Sequence, residues 1–263
     1  MDLGLKGKVA LVTGASSGLG RAIAEELAAE GADVVIAARR AEQLAEVAKG
    51  ITERTGRAVT CIVADLATVG AAARVVADAI AAHGRVDILL TNAGGPPSLP
   101  FEQTTLEQWQ SAMRLNLESA LELCRAALPG MKERKWGRIL TLTSITVKQP
   151  VENLILSNSI RAAVTGFART LANEVAPFNI TVNNLLPGYT KTERLGGLAA
   201  AVSARKGISE ADAYGAWEQQ IPMGRLGEPR EFAALAAFLA SERASYITGQ
   251  SVAVDGGWIK SLF

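Results

Sequence analysis

Short apolar runs rich in β-branched residues alternate along the chain with longer stretches whose apolar positions recur every three or four residues. Residues 9–12 (Val-Ala-Leu-Val) form a continuous apolar run of strand length. Residues 20–30 follow with Ala22, Ile23, Leu27 and Ala28 on one helical face. The alternation continues, with strands predicted at 34–37, 59–63, 88–90, 137–142, 181–185 and 251–254. Helices are predicted at 42–55, 71–83, about 105–132, about 158–175 and 230–239. Strands that are apolar throughout and separated by helices belong to a parallel sheet covered on both faces, with right-handed crossovers. The pattern predicts an α/β fold: one doubly wound domain over 1–263, of about seven parallel strands with helices on both faces. The alanine triplets at 71–73 and 199–201 read as helix formers.

Residues 190–229 break the alternation. This segment carries Gly196, Gly197, Gly207 and Gly215, yet also Leu195, Leu198, Val202, Trp217, Ile221 and Met223. It is too long for a connector and too apolar for disorder, which points to a lid or binding loop. Its other reading is two small surface helices without a role.

Composition narrows the function classes. The net charge of +1 offers no field to draw nucleic acid or an acidic membrane. The run at 9–12 is too short for a signal peptide, and no run approaches the roughly 20 apolar residues of a membrane span. Two cysteines, Cys61 and Cys124, form no disulfide framework and no Cys-x-x-Cys, so reduced thiols in a cytoplasmic setting are expected. No metal site is expected, because His83 is the single histidine and reads as a solvated residue at a helix end.

The first chemistry-bearing motif is Thr13-Gly14-Ala15-Ser16-Ser17-Gly18-Leu19-Gly20, between the first strand and the first helix. Glycines there permit a tight turn and let backbone N–H groups approach a pyrophosphate, to which the helix N-terminus adds partial positive charge. The second strand ends in Arg39-Arg40. A carboxylate at that place would bind both ribose hydroxyls of NAD, whereas a guanidinium fork suits a 2′-phosphate. The cofactor expected is therefore NADP(H), with Ser16 and Ser17 as further donors; the other reading has both arginines capping a strand in solvent.

The segment Ser144-(12 residues)-Ser157-Asn158-Ser159-Ile160-Arg161 resembles the active-site segment of the short-chain dehydrogenase/reductase family. That family usually reads Ser-(12 residues)-Tyr-x-x-x-Lys there. The resemblance runs from about Leu5 to Trp258, is of the 3-oxoacyl-acyl-carrier-protein-reductase kind, and implies a Rossmann fold. It assigns Asp65 and Leu66 to adenine contact. It sets Asn92-Ala93-Gly94 after the fourth strand, with Thr91 for the first asparagine of the usual Asn-Asn-Ala-Gly. It gives Pro187-Gly188, with Thr190 and Thr192, to the loop that holds the nicotinamide carboxamide. The stretch 248–257 resembles a part used in tetramer packing, so a homotetramer or homodimer is implied.

In the family the tyrosine gives a proton to the carbonyl oxygen, the lysine lowers its pKa and holds the ribose, the serine binds the substrate oxygen, and a helix asparagine anchors a water relay. Asn116 and Ser144 match two of these four positions; Ser157 and Arg161 replace the tyrosine and the lysine. An aliphatic hydroxyl is a far weaker acid than phenol, with its pKa of about 10; Arg161 can still bind the cofactor by hydrogen bonds to ribose hydroxyls, but it stays charged. No shifted register restores the motif, since Tyr189, Tyr214 and Tyr246 are followed four residues on by Glu193, Glu218 and Gln250. Three readings stand: an NADP(H)-dependent reductase with another proton source, an NADP(H)-binding pseudoenzyme acting as sensor or scaffold, and a partner protein that keeps only the fold. The proton sources considered are Tyr189, Lys148, Glu152 and a water held by Asn116 and Ser157. Tyr189 could equally pack on the lid, and Asn116 and Ser144 could be satisfied core polar groups. The substrate expected is a small, partly apolar carbonyl compound.

Overall fold

The apolar runs form strands β1 (Val9–Thr13), β2 (Asp33–Ala38), β3 (Thr60–Val63), β4 (Ile88–Thr91), β5 (Gly137–Leu142), β6 (Ile180–Pro187) and β7 (Ser251–Val254), in a computed structural model that describes residues 2–262. They make one sheet in the order β3-β2-β1-β4-β5-β6-β7, and every pairing is parallel. The chain winds outward from β1 to β3, then returns to place β4 on the other side of β1. The switch point between β1 and β4 opens a crevice at the carboxyl ends of the strands, where ligands bind in open α/β sheets.

Strand periodicity builds two cores. Ala10 and Val12 of β1 face one side, with Ile36, Leu90 and Leu140, against Ile23 and Leu27 of helix α1 (Gly18–Ala29), Leu44 of α2 (Ala41–Thr55) and Phe232 of α9 (Pro229–Leu239). Val9 and Leu11 face the other side, with Val35, Leu89 and Ile139. They pack against Val75 of α3 (Ala71–His83), Leu123 of α5 (Ser119–Arg134) and Leu171 of α6 (Ile155–Val175). Adjacent residues of one strand thus reach opposite layers, as the pleat requires. At the other end of β1, fully buried Asp87 accepts from the Val9 N–H at 3.0 Å and from Arg85 Nε at 2.8 Å, with Arg134 Nε 3.5 Å away.

Some elements differ from the sequence pattern. The helix predicted over 105–132 is two helices, α4 (Leu106–Met113) and α5, joined by a π turn over Arg114–Glu118. A π turn inserts one residue without changing any residue type, so periodicity does not reveal it; such turns are common at functional sites. α6 begins at Ile155 rather than at 158, so Ser157 lies in its first turn. His83 is half-buried and hydrogen-bonded to Thr60 Oγ1 at 2.9 Å, not solvated, because β3 passes beside the end of α3.

Residues 190–229 form the helices α7 (Glu193–Lys206) and α8 (Glu210–Gln220), not an open loop. Their inner faces own a separate apolar cluster in which Leu195, Ala199, Trp217 and Ile221 pack on Ile145, Leu186 and Trp258. A one-residue parallel bridge between Thr190 and Gly227 pins the base of this hairpin. Among the described residues, no helix is long and apolar enough to cross a membrane.

Candidate active site

A cavity of about 600 Å³ opens at the carboxyl ends of the central strands, under α7. It collects most of the residues singled out from sequence. Gly14, Ser16, Ser17, Gly18, Leu19, Arg39, Arg40, Asp65, Leu66, Asn92, Ala93, Gly94, Pro187, Gly188, Thr190 and Thr192 line it, and so do Ser144, Ser157, Arg161 and Tyr189. Gly20 and Asn116 do not. Gly20 stands behind the turn, where a Cβ would strike the Gly14 carbonyl oxygen. Asn116 borders a second space of about 10 Å³, shared with Thr91, Ser119, Thr143 and Arg161.

The phosphate-side turn has little room for side chains. Gly14 has φ +62°, and a Cβ there would come within 2.7 Å of Asn92 Nδ2. Thr13 Oγ1 accepts from the Asn92 N–H at 2.8 Å, and Asn92 Nδ2 donates to the Gly14 carbonyl at 3.3 Å. These bonds stitch the ends of β1 and β4 together across the switch point. Ser17 occupies the N-cap position of α1 but makes no capping bond with its side chain. Its Oγ instead accepts from Arg40 Nη2 at 2.8 Å, and Ser16 Oγ lies 3.3 Å from the same nitrogen. Arg40 also pairs with Glu193 at 3.3 Å, and Arg39 with Asp65 at 3.9 Å. Both arginines are exposed at the mouth of the cavity, so their positive charge is free to be shared with a ligand.

At the other end, β5 delivers Ser144 and α6 delivers Ser157 and Arg161, one helical turn apart on the same face. Ser144 Oγ accepts from the Thr146 N–H at 3.1 Å, which leaves its own proton available to a ligand. Ser157 is 7% exposed. Arg161 Nη1 donates to the Leu142 and Thr143 carbonyls at 2.8 Å each, anchoring the guanidinium on the end of β5. Burial, and secondarily the charge of Arg194, pushes the Arg161 pKa down to about 10.

Tyr189 stacks on Trp217 of α8 with ring centroids 5.0 Å apart and planes 15° apart, and meets Trp258 edge-on at 5.7 Å. The ring is thus a wall between the cavity and the α7–α8 cluster, and burial pushes its phenol pKa up. Lys148 and Glu152 are exposed and stand outside the cavity lining. Among the described residues, no cluster of three or more His, Cys, Asp or Glu could hold a metal.

Two charged lining residues were not assigned to the site from sequence, Glu193 and Arg194. Their signal was the run Thr192-Glu193-Arg194, directly after the paired threonines. Thr192 caps α7, its side chain accepting from the Leu195 N–H, and this aims the next two residues into the cavity.

A family model described as "Enoyl-(Acyl carrier protein) reductase" matches residues 14–259. The chain is 32% identical over 257 residues to the 3-oxoacyl-[acyl-carrier-protein] reductase FabG of Aquifex aeolicus, covering 98% of this chain and 99% of that one. It is 33% identical over 256 residues to the NADPH-dependent reductase BacG of Bacillus subtilis, covering 97% and 99%. The solved structure of L-sorbose reductase from Gluconobacter frateurii, complexed with NADPH and L-sorbose, superposes with a TM-score of 0.94 at 36% identity over the whole of both chains.

Proposed function

This chain belongs to the short-chain dehydrogenase/reductase family, and we propose that it is an NADP(H)-dependent oxidoreductase acting on a carbonyl, alcohol or imine without the Tyr-x-x-x-Lys pair. The observation that carries the proposal is the intact cofactor half of the cavity. The glycine turn is tight enough to admit no Cβ at Gly14 or Gly20, Gly18 has a positive φ, the first turn of α1 has no side-chain cap, and Arg40 already rests on Ser16 and Ser17. These groups fit a pyrophosphate and a 2′-phosphate. Relatives described as NADPH-dependent or solved with NADPH support the same cofactor.

In this reading Asp65 and Leu66 border the adenine, Asn92, Ala93 and Gly94 the ribose side, and Pro187, Gly188, Thr190 and Thr192 the carboxamide. When bound, NADPH supplies the hydride. Ser144 donates its hydroxyl proton in a hydrogen bond to the substrate oxygen, and Ser157 offers a second hydroxyl from α6. The oxygen that receives negative charge takes its proton from water. The polar space beside Asn116, Thr143 and Arg161, which Ser157 does not border, has about the volume that one water requires, and Asn116 reaches it from the π turn. Arg161 holds positive charge where the family has lysine, and Tyr189 serves as a wall. Losing a dedicated acid of the tyrosine kind slows turnover by about 10²- to 10⁴-fold.

The anchoring of Arg161 on β5 also favours a second reading, an NADP(H)-binding pseudoenzyme, because that nitrogen is already committed to carbonyls. We extend the first reading in two ways: α7–α8 acts as a lid on a single cofactor-binding domain, and the chain assembles as a homotetramer or homodimer through the surface around Thr248 to Gly257. The test is titration of NADPH and NADH followed by nicotinamide fluorescence, then a panel of ketones, imines and 3-oxoacyl thioesters. Preferential NADPH binding with turnover supports the reductase, binding without turnover supports the pseudoenzyme, and no binding overturns both.

A further inference from the structure

The catalytic end of the cavity holds two guanidiniums and no carboxylate to balance them. Arg161 comes from α6 and Arg194 from the first turn of α7, so they enter from different layers of the fold. Each is fixed by backbone carbonyls alone. Arg161 Nη1 donates to Leu142 and Thr143, and Arg194 Nη2 donates to Pro96 at 2.8 Å. Arg194 lies flat enough over Gly95 that a Cβ there would stand 3.0 Å from its Cζ. The two charges are close enough for Arg194 to depress the proton affinity of Arg161, and crowding by protein lowers that of Arg194 itself. Among the described residues neither arginine has a carboxylate within ion-pair distance. The two carboxylates that line the cavity, Asp65 and Glu193, are engaged at its opposite end by Arg39 and Arg40.

Arg161 is partly buried and Arg194 is exposed at the cavity rim, and two like charges gathered on one cavity favour an anion that neutralises them. Carbonyl oxygens satisfy single N–H groups but bring no net charge. Each guanidinium keeps further N–H donors, in the planar fork that grips a carboxylate in two-point fashion. The expected cofactor brings its phosphates to the glycine turn and to Arg40, so the missing charge belongs to the other ligand. Apolar walls from Val151, Leu154, Leu198 and Tyr189 complete the enclosure.

We propose that Arg161 and Arg194 together form an anion receptor, and that the substrate is an oxo-carboxylate whose carboxylate they hold beside the carbonyl group presented to Ser144, with a short apolar chain. The proposal deepens the oxidoreductase reading and rests on it for the identity of the carbonyl.

The test uses 4-methyl-2-oxopentanoate and its methyl ester as matched probes, titrated calorimetrically into NADPH-saturated protein, with NADPH oxidation followed in parallel. The acid is expected to bind roughly 10- to 100-fold more tightly than the ester, the usual return from a charge-assisted two-point contact. Arg194→Gln should collapse that ratio towards one, and Arg194→Lys should restore part of it, while the NADPH dissociation constant stays within about twofold. Equal binding of acid and ester by the natural chain overturns the proposal. So does an Arg194→Gln variant that weakens NADPH and leaves the ratio intact, since the anion received would then be the cofactor's own. If NADPH fails to bind, the cofactor reading falls separately; Arg194-dependent binding of the acid to the cofactor-free protein would still uphold the receptor, and its absence would refute it.

Discussion

Replacing Glu193 by Gln isolates the contact that ties the α7–α8 hairpin to the cofactor end of the cavity. Glu193 stands 3.3 Å from Arg40 Nη2, the nitrogen that also reaches Ser16 and Ser17. A 2′-phosphate on Arg40 must displace this carboxylate or endure its repulsion. The two side chains are 44% and 68% exposed, so the pair itself is worth about 0.2–1 kcal/mol. Repulsion from the phosphate adds a screened term of similar size. The sum is about 1 kcal/mol, which corresponds to roughly a fivefold lower dissociation constant for NADPH in the Glu193→Gln variant. NADH has no 2′-phosphate, so its affinity should stay within about twofold. The assay is nicotinamide fluorescence titration of both nucleotides at about 50 mM and 500 mM salt, because the gain should shrink as screening increases. Equal tightening of NADPH and NADH would refute the reasoning, since the carboxylate would then act on lid position and not on phosphate. An unchanged NADPH constant would show that Glu193 is not in the phosphate's way.

Three further predictions bear on other parts of the molecule. Arg39→Asp should shift cofactor preference from NADPH towards NADH by roughly 10- to 100-fold, the loss expected when a charged hydrogen-bond partner is removed; unchanged preference in paired titrations would remove the role given to the second strand's end. Ser157→Tyr combined with Arg161→Lys should raise carbonyl reduction by about 10²-fold or more, because a phenol and its lysine restore general acid help; a steady-state kcat that does not rise would mean the pocket serves a different reaction. Asp87→Asn should lower stability by about 2 kcal/mol, less than the loss for a fully enclosed ion pair because Arg85 can turn its charge to water. Thermal unfolding should register this as a Tm roughly 4–8 °C lower, and an unchanged Tm would deny Asp87 its part in holding β1 to the start of β4.

The parts of this fold that were legible in sequence are those set by local rules. A run such as 9–12 is apolar on both faces because two helical layers cover it, and no distant information is needed to see that. Gly14, Gly18 and Gly20 announce a turn by the side chains they lack, and Arg39 and Arg40 reach the cavity because their strand stops there. Closeness in sequence misled elsewhere. Lys148 and Glu152 lie between Ser144 and Ser157 in the chain, yet the short helical turn after Ser144 carries both to the surface. The π turn around Asn116 was hidden because one inserted residue leaves the composition of a helix unchanged.

Arg194 was hidden for a different reason, which also says how this cavity works. Glu193 and Arg194 are consecutive in the first turn of α7, and consecutive helical residues point about 100° apart. One therefore meets Arg40 at the cofactor end, and the other rests on Pro96 at the catalytic end. No periodic pattern distinguishes such a pair from the charged surface of any helix, because their partners are 153 and 98 residues away in the chain. A single helical turn, capped by Thr192 and pinned at its base by Thr190 and Gly227, thus touches both ends of one cavity. On the proposed roles, a phosphate at Arg40 would release Glu193 and free that turn on one side, while an anion on Arg194 would fix it on the other. Filling the two ends would then be coupled through α7, the element that both contacts share.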